Sequence, residues 1–492
     1  MHRTATLPAL FLAATSLAYP AMAQTLTPKD AWDTLAAAVD AAGGNLTSGA
    51  IQRDGDALIA PMVRLEAGEM ISLRFDEIRL EPRGAQVAII PSAQFDAVST
   101  LGMPGERRDY SITHDGAFLL SADDTRADLA LEFGRLALIK TAASRSGQPL
   151  DERLEMTHNG LTGQMSMTLN QEPFEVRINL SVDELLQDQR ISDPMLGMEQ
   201  AAVGTTSGVR LEADLQGLRF LDFSEPGALA AAFEAGLAIR VALGNDAGTM
   251  RMDQSMMGFT TMVELALQSS DAALSLVDGQ FETEMSLNAV EADMNFGGVP
   301  VSAALQRFAL SLGMPIVPSD DDRTFGLTLD IAGLTLSEDL LAMAGAGSFA
   351  DDAITAGLET RFNGRLLVDF ADAVDEVDIP FDISSFELPR LLLQVGAASL
   401  TGSGRFDLAE GALERMTDDL PEGEGSFVFD LRGGNALLGR LSAIGLIPAD
   451  QQFMAQMMMN ALGRPVAEDH LRSEVQVGPG GAIQVNGMPL PF

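Results

Sequence analysis

Histidines are the residues of this chain best suited to acid–base chemistry or metal binding at neutral pH. Beyond the first few residues the sequence contains His114, His158 and His470, which lie far apart. None of them has the His-x-x-x-His or His-x-Glu spacing of a zinc site. The sequence also lacks the Gly-Lys-Ser/Thr of a phosphate-binding loop and the Gly-x-Ser-x-Gly of many serine hydrolases. We therefore predict that the protein is not an enzyme and that it uses no cofactor.

Two groups of acidic residues have the oxygen atoms that calcium prefers as ligands. Neither group has the Asp-x-Asp-x-Asp-Gly spacing with a distal glutamate that a calcium-binding loop of the EF-hand type requires. In a chain this acidic a solvated loop is the better interpretation, so we predict no metal site, while calcium binding stays an open alternative. The groups are Asp320-Asp321-Asp322 and the set Asp369, Asp372, Asp375, Glu376 and Asp378.

Methionine is more informative, because the chain has 25 of them and several are clustered. Thioether side chains adapt to irregular apolar partners, so methionine-rich surfaces suit variable ligands such as acyl chains. Packing in a hydrophobic core is the alternative. The candidate ligand-lining residues are Met256 and Met257 in one cluster and Met454, Met457 and Met458 in the other.

Alternation of apolar and polar residues dominates the sequence between these clusters and predicts strands with one dry and one wet face. In one such stretch we expect Leu327, Leu329 and Ile331 to be buried, with Thr328 and Asp330 on the opposite face. Dipeptides typical of tight hairpin turns separate the stretches, so we predict a mainly β fold (α+β) with a long antiparallel meander. Two duplicated curved halves and a meander without duplication are both open arrangements of this fold. The dipeptides are Asp54-Gly55, Asp115-Gly116, Asn159-Gly160, Asp278-Gly279, Asn363-Gly364 and Asn486-Gly487.

Helix signals are few and short, and we expect these helices to pack on the dry face of the sheet. Thr27-Pro28-Lys29-Asp30 supplies an N-cap, a proline at the first helical position and an acid in the first turn of an opening helix. The other predicted helices begin at Ser181, Ser337 and Ala228, and two more cover residues 435–444 and 448–462 before a closing hairpin that pairs Val475 and Val477 with Ile483 and Val485.

The first residues predict export. A basic start at Arg3, an apolar stretch from Leu7 to Ala18 and the small residues of Ala21-Met22-Ala23 are typical of a cleaved secretory signal peptide. We therefore expect a signal peptide at 1–23 and a periplasmic location. The remaining length exceeds one ordinary core, and we predict β-rich domains at 24–200 and 201–492.

The formal charge is −39, from 70 acidic and 31 basic residues, and Lys29 and Lys140 are the only lysines. Such a surface repels phosphate backbones, which excludes nucleic acid as a partner. The chain has no cysteine, which is compatible with an oxidising compartment. No later segment has the ~18 uninterrupted apolar residues of a spanning helix, so we expect no stable membrane span after cleavage.

The signal peptide, the opening helix at Pro28 to Trp32 and the ending Val485-Asn486-Gly487-Met488-Pro489-Leu490 resemble the exported bacterial proteins of domain-of-unknown-function family 2125. That family brings no activity and no functional residues with it. Segments such as residues 397–408 resemble AsmA-type repeats, whose long sheets curl into apolar grooves. This second resemblance implies a link to lipid transport, although the chain lacks the membrane anchor common in those proteins.

Two functions remain open at this point. The first is a non-enzymatic periplasmic protein that binds or carries a lipid or another apolar ligand on a curved sheet. The alternative is a structural or interaction protein of the cell envelope whose dry sheet face is covered by its own helices. Whether that face is open or covered distinguishes the two.

Overall fold

The computed structural model describes residues 26–490, except 42–43, 68–69, 101–104, 124, 169–172, 194–196, 218–226, 257, 297, 344, 369–380, 410, 413–420 and 480–481. The predicted signal peptide at 1–23 and the acidic set from Asp369 to Asp378 therefore lie outside the described residues.

The fold is mainly β, as predicted: strands make up 69% of the structure and helices 12%, and the strands form a long antiparallel meander. The chain divides into two compact units. The first consists of residues 1–219 with 236–264, and the second of residues 220–235 with 265–492. This division differs from the predicted boundary at residue 200. That boundary was placed where the alternation lapses, but Met198–Gln216 forms one continuous strand of the first unit.

The first unit combines long strands with short ones. Its strands are β1 (Gly44–Thr47), β2 (Gln52–Asp54), β3 (Ala57–Ala67), β4 (Ile71–Arg83), β5 (Gln86–Pro91), β6 (Gln94–Ser99), β7 (Glu106–His114), β8 (Ala117–Ala122), β9 (Arg126–Arg145), β10 (Gln148–Pro149), β11 (Asp151–Thr168), β12 (Glu175–Asp193), β13 (Met198–Gln216), β14 (Ala238–Asn245) and β15 (Ala247–Met256). Strand β4 pairs with β3 on one edge and with β6 and β5 in turn on the other. Strand β9 receives β7 and β8 in the same way and pairs with β11, from which the meander continues through β12 to β13.

One hydrophobic core belongs to this first unit. It collects buried side chains from the apolar face of the strands, among them Leu80, Val87 and Ile178. Helix α1 (Pro28–Ala41) lies against β3 and β4 and adds Ala31 and Trp32 to the same core. Burial of so many aliphatic side chains, at ~1.5–3 kcal/mol each, is the main stabilising contribution to this unit.

The second unit continues the meander from strand to strand. After β16 (Phe259–Leu267), which runs from the first unit into the second, its strands are β17 (Ser269–Val277), β18 (Gln280–Phe296), β19 (Val299–Pro315), β20 (Arg323–Leu336), β21 (Ile354–Leu366), β22 (Phe381–Val395), β23 (Ala398–Leu408), β24 (Gly423–Arg432), β25 (Arg464–Ala467), β26 (His470–Val477), β27 (Ile483–Val485) and β28 (Met488–Pro489). Each strand from β17 to β24 pairs antiparallel with the next, and β26 follows β24.

In the part of the second unit that the structure describes there are four α-helices: α2 (Ala228–Glu234), α3 (Glu338–Met343), α4 (Gly434–Ala443) and α5 (Ala449–Leu462). These elements and α1 confirm five predicted helices. At the start of α1, the Thr27 hydroxyl accepts a hydrogen bond from the Asp30 amide at 3.2 Å while Asp30 accepts one from the Thr27 amide at 3.2 Å. The closing hairpin is also confirmed, with Val475 opposite Val485.

Two groups of sequence predictions were wrong. The helix predicted to begin at Ser181 is part of β12, because that segment pairs with both β11 and β13 and the ladders outweigh a weak local cap. The turns predicted at Asn159-Gly160 and Asn363-Gly364 are irregularities inside β11 and β21. By contrast, Asp278-Gly279 forms a two-residue turn in which both residues have positive φ, as the type I′ geometry requires.

Candidate functional site

The apolar side chains of the second unit lie on one face of its sheet and form rows across the strands. Residues directly opposite each other in neighbouring strands point to the same face, so the register defines the rows. We call this surface the apolar face. Its middle row is Met285, Leu310, Leu329, Leu358, Leu391, Gly402 and Phe429, and the next row is Leu287, Phe308, Ile331, Ala356, Leu393, Leu400 and Leu431.

A third row on the apolar face is aromatic. Phe325, Phe362, Phe386 and Phe406 lie opposite one another in four consecutive strands. The ring centroids of Phe325 and Phe362 are 5.4 Å apart, and those of Phe362 and Phe386 are 5.1 Å apart. Further along the sheet, the ring of Phe427 lies so close above Gly404 that a Cβ there would be 2.2 Å from it. The rings therefore lie against the backbone and present flat surfaces.

The apolar face remains open along these rows. Its side chains are half-buried for the most part, and Met285 and Leu393 are exposed. The expected burial of Leu327, Leu329 and Ile331 was wrong, because all three are only half-buried, as are Thr328 and Asp330. In the described part of the second unit, large buried side chains lie mainly at or near strand ends, for example Val301, Leu366 and Leu471.

The opposite face of the same sheet, the polar face, is covered with ion pairs. Arg390 reaches across β21 to Asp330, and it can do so because Gly357 lies between them without a side chain. Arg405 binds Glu387 at 2.6 Å and Asp407 at 2.7 Å. These arginines are engaged within the sheet, so they do not present free positive charge to an anionic ligand.

A cavity of about 340 Å³ opens at β18, β19, the end of β20 and the start of α3. Its polar lining includes Glu291, Asp293, Ser302, Thr335, Ser337 and Glu338. The Ser337 hydroxyl accepts hydrogen bonds from the Ser302 amide at 3.0 Å and the Leu340 amide at 3.4 Å. Ser337 thus caps α3, and its hydroxyl is held by backbone donors, not by a general base.

The five candidate methionines occupy different places. Met454, Met457 and Met458 lie on the outer surface of α5, where each is more than half exposed. Met256 ends β15 of the first unit and is 47% exposed, and Met257 lies outside the described residues. None of the four described residues is in the buried core, so the core-packing alternative does not apply to them.

The first unit contains a buried ion network that sequence analysis missed. Glu106 is buried and accepts hydrogen bonds from Arg145 at 2.5 Å and Arg108 at 2.7 Å. Lys140, also buried, donates to Glu152 at 2.8 Å. Each buried charge has an opposite charge in contact, which is the arrangement of a structural network. The long sequence separation of Glu106 and Arg145 left no local signal for it.

Those remaining sequence candidates that the structure describes do not form a metal site. His114 Nε2 donates a hydrogen bond to the Ser92 carbonyl at 3.0 Å, and its ring contacts those of Phe95 and Phe133. His470 contacts Asp430 at 2.8 Å, and Asp322 accepts from the Ser384 hydroxyl. Among the described residues, no group of three or more metal-binding side chains is arranged around a common point, and no helix is long and apolar enough to cross a membrane.

Comparison of the chain with known protein families, with characterised proteins and with solved structures finds no match. The resemblance to the exported family and to AsmA-type repeats stays a prediction, as does export itself.

Proposed function

We propose that the protein is a non-enzymatic periplasmic protein that binds or carries a lipid or another apolar ligand on the apolar face of its second unit. The observation that carries this proposal is the half-exposed state of that face. Apolar rows run across seven neighbouring strands from β18 to β24 and stay accessible. In the first unit the same alternation is buried in a core. Exposed apolar surface of this extent is typical of a binding site.

Ligand burial on such a face is energetically reasonable. Each methylene removed from water contributes roughly 0.8 kcal/mol. Association costs ~4–15 kcal/mol in lost translational and rotational freedom. About ten buried methylenes therefore offset a cost in the lower or middle part of that range. A longer chain, or two chains side by side, gives net affinity.

The dimensions of the rows suit acyl chains. Neighbouring strands are ~4.8 Å apart, so the five large side chains from Met285 to Leu391 span about 19 Å. Half of a ~30 Å hydrocarbon core implies a length of about 15 Å for one acyl chain. The aromatic row lies about 13 Å from the middle row along the strands, because the two rows are four residues apart and every two residues add ~6.7 Å.

Recognition on this face depends on apolar contact. The three rows contain no charged side chain, and the arginines described above lie on the polar face in ion pairs. We expect ligands of equal chain length to bind with similar affinity whatever their headgroup, and modest salt to have little effect.

The test is a titration with a fluorescent fatty acid and with a phospholipid that carries a fluorescent acyl chain. We expect saturable binding at micromolar concentration with a negative heat-capacity change, the signature of apolar burial. Leu310→Gln should weaken binding at least threefold, because Leu310 lies in the middle row. Its matched control is Ser311→Gln, one residue along β19 on the polar face, which should leave affinity unchanged.

A well-folded protein that takes up no class of lipid would overturn the proposal and favour the structural or interaction protein. Equal loss of binding in Leu310→Gln and Ser311→Gln would also contradict it, because the two side chains lie on opposite faces of the sheet. Urea unfolding of each variant shows whether a loss of binding comes from a loss of fold.

A further inference from the structure

Helix α5 carries its apolar side chains on the outside. Phe453, Met454, Met457 and Met458 are 63%, 59%, 56% and 63% exposed. They follow the three- and four-residue spacing of a single helix face, which we call the outer stripe. A helix that only packed on its own protein would turn this face inward.

The inner side of α5 is more polar than the outer stripe. The helix contacts α4, β25 and β26. Gln452, Ala455, Gln456 and Met459 are half-buried and lie on the opposite side from the outer stripe. Two glutamines and Met459 thus turn towards the protein, while the long apolar side chains of the outer stripe turn away. Leu446, just before the helix, and Val466, just after it, are also exposed.

Charge selects among the occupants that could cover the outer stripe. Asp450, in the first turn, is the only charged residue of α5, and the whole chain carries −39. A second copy of the chain would bring the same net charge, and an anionic membrane would also repel it. A lipid surface without net charge meets no such repulsion.

The exposed area of the outer stripe also favours a lipid surface over a second copy of the chain. The four side chains of the outer stripe expose on the order of 500 Å² together, which is less than the ~800 Å² per partner of a stable protein interface. A helix face of this size suits shallow insertion at a membrane surface, where an apolar stripe enters the boundary between headgroups and acyl chains by ~5–10 Å. The 14 residues of α5 are too few to cross a bilayer, which needs ~20.

We propose that the outer stripe of α5 docks the protein reversibly on the surface of a zwitterionic phospholipid bilayer, with α5 lying in the plane of the interface. The outer stripe and the apolar face are different surfaces, so this docking does not depend on whether the sheet takes a ligand.

The test uses the full chain with vesicles of phosphatidylcholine in a co-flotation assay. The intact protein should float with the vesicles. The variant Met454→Gln/Met457→Gln/Met458→Gln should reduce the bound fraction at least fivefold, because it replaces apolar with polar side chains of similar length on an exposed face. Vesicles that contain phosphatidylglycerol should bind the protein less at low salt, and added salt should restore binding. Leu310→Gln, on the apolar face, should bind vesicles like the intact protein.

A labelled protein gives a second readout that survives if the triple variant folds poorly. The chain has no cysteine, so Met457→Cys can carry a single environment-sensitive dye. Its emission should shift to the blue with phosphatidylcholine vesicles. The matched control is Met343→Cys on α3, which is 67% exposed in the intact chain and should show no shift.

Equal flotation of the intact protein and the triple variant, or no blue shift at position 457, would overturn the proposal. A concentration-dependent dimer that the triple variant loses, without binding to vesicles, would overturn it in favour of a second copy of the chain.

Discussion

Leu329 lies in the middle of the apolar face, opposite Leu310 on one side and Leu358 on the other. Replacement of a fully buried core residue typically lowers the free energy of unfolding by ~3–5 kcal/mol. Because Leu329 is only half-buried, we expect its replacement to lower the free energy of unfolding by about 2 kcal/mol. We expect this loss for Leu329→Asn and about 0.5 kcal/mol for Thr328→Asn, its neighbour on the polar face. Urea unfolding with constant m-values measures both.

A loss above about 4 kcal/mol for Leu329→Asn would mean that another layer covers this position in solution. Equal losses at positions 328 and 329 would contradict the register that places Leu329 opposite Leu310.

His158 should make the stability of the first unit depend on pH. It lies between Leu136 and Leu185 in the ladder, and burial lowers its pKa below the usual 6.5. Above pH 6.5 the side chain is neutral in both states. As pH falls below 6.5 the unfolded chain takes up a proton first, so the free energy of unfolding decreases until the pH passes the folded pKa.

The variant His158→Leu should lack this decrease, since a leucine between two leucines neither titrates nor loses apolar contact. The measurement is the difference in unfolding free energy between the intact protein and His158→Leu from pH 7.5 to 5.5. A difference that stays constant over this interval would contradict the assignment.

At the residue scale the sequence predicted orientation better than burial. The alternation placed Leu327, Leu329 and Ile331 on one face correctly, because a pleated strand turns successive side chains to opposite sides. Their burial depends on what covers the strand, and no local pattern contains that information. Glu106 and Arg145 show the same limit, because 39 residues separate them in the chain.

Helix α4 is capped from a distance by Asp469, which lies in the turn before β26. The Asp469 carboxylate accepts hydrogen bonds from the amides of Asn435 and Ala436 at 3.0 and 3.1 Å. Partial burial raises the pKa of Asp469, but these hydrogen bonds outweigh that effect and hold the pKa below its usual 3.8. Asp469→Gly, which suits the positive φ of this residue, should destabilise the protein by about 1 kcal/mol.

The pH dependence of this cap provides its control. The carboxylate stabilises α4 at pH values above 3.8, and that stabilisation is lost as the pH falls below 3.8 through the folded pKa. Asp469→Asn keeps an acceptor and tolerates positive φ, so it should be less stable than the intact protein at pH 6 and equal to it in strong acid. An advantage of Asp469 that persists in acid would contradict capping by the charged form.

Elements were predicted well where the local signal and the pairing agree. The helices that begin at Pro28 and Glu338 carry caps that no strand opposes, and both are present. At Ser181 a similar acidic start lies between two long ladders, and the strand prevails. Gly160 has positive φ inside β11 but makes no turn, because the partner strands continue past it in the same register.

At the scale of the whole molecule, the net charge and the open apolar face belong together. Exposed apolar rows favour association between copies, and a charge of −39 opposes it at moderate salt. The charge was evident from composition. The open face was not evident from the sequence, because both units show similar alternation of apolar and polar residues. In the first unit the apolar side chains form a buried core with Trp32, whereas the rows of the second unit stay half-exposed.

This difference between the units predicts that a ligand stabilises only one of them. Trp32 is the only tryptophan and lies in the core of the first unit, so its fluorescence reports the unfolding of that unit alone. Far-ultraviolet circular dichroism reports both units, because both are rich in strands.

A ligand at one hundred times its dissociation constant adds ~2.7 kcal/mol to the stability of the state that binds it. The unfolding transition of the second unit, which circular dichroism detects and Trp32 fluorescence does not, should therefore move to higher urea concentration. The transition seen by Trp32 fluorescence should stay at the same urea concentration. A shift of the Trp32 transition would mean either that the ligand binds the first unit or that the two units unfold together. The variant Leu310→Gln distinguishes these explanations, because it abolishes the shift only if the ligand lies on the apolar face.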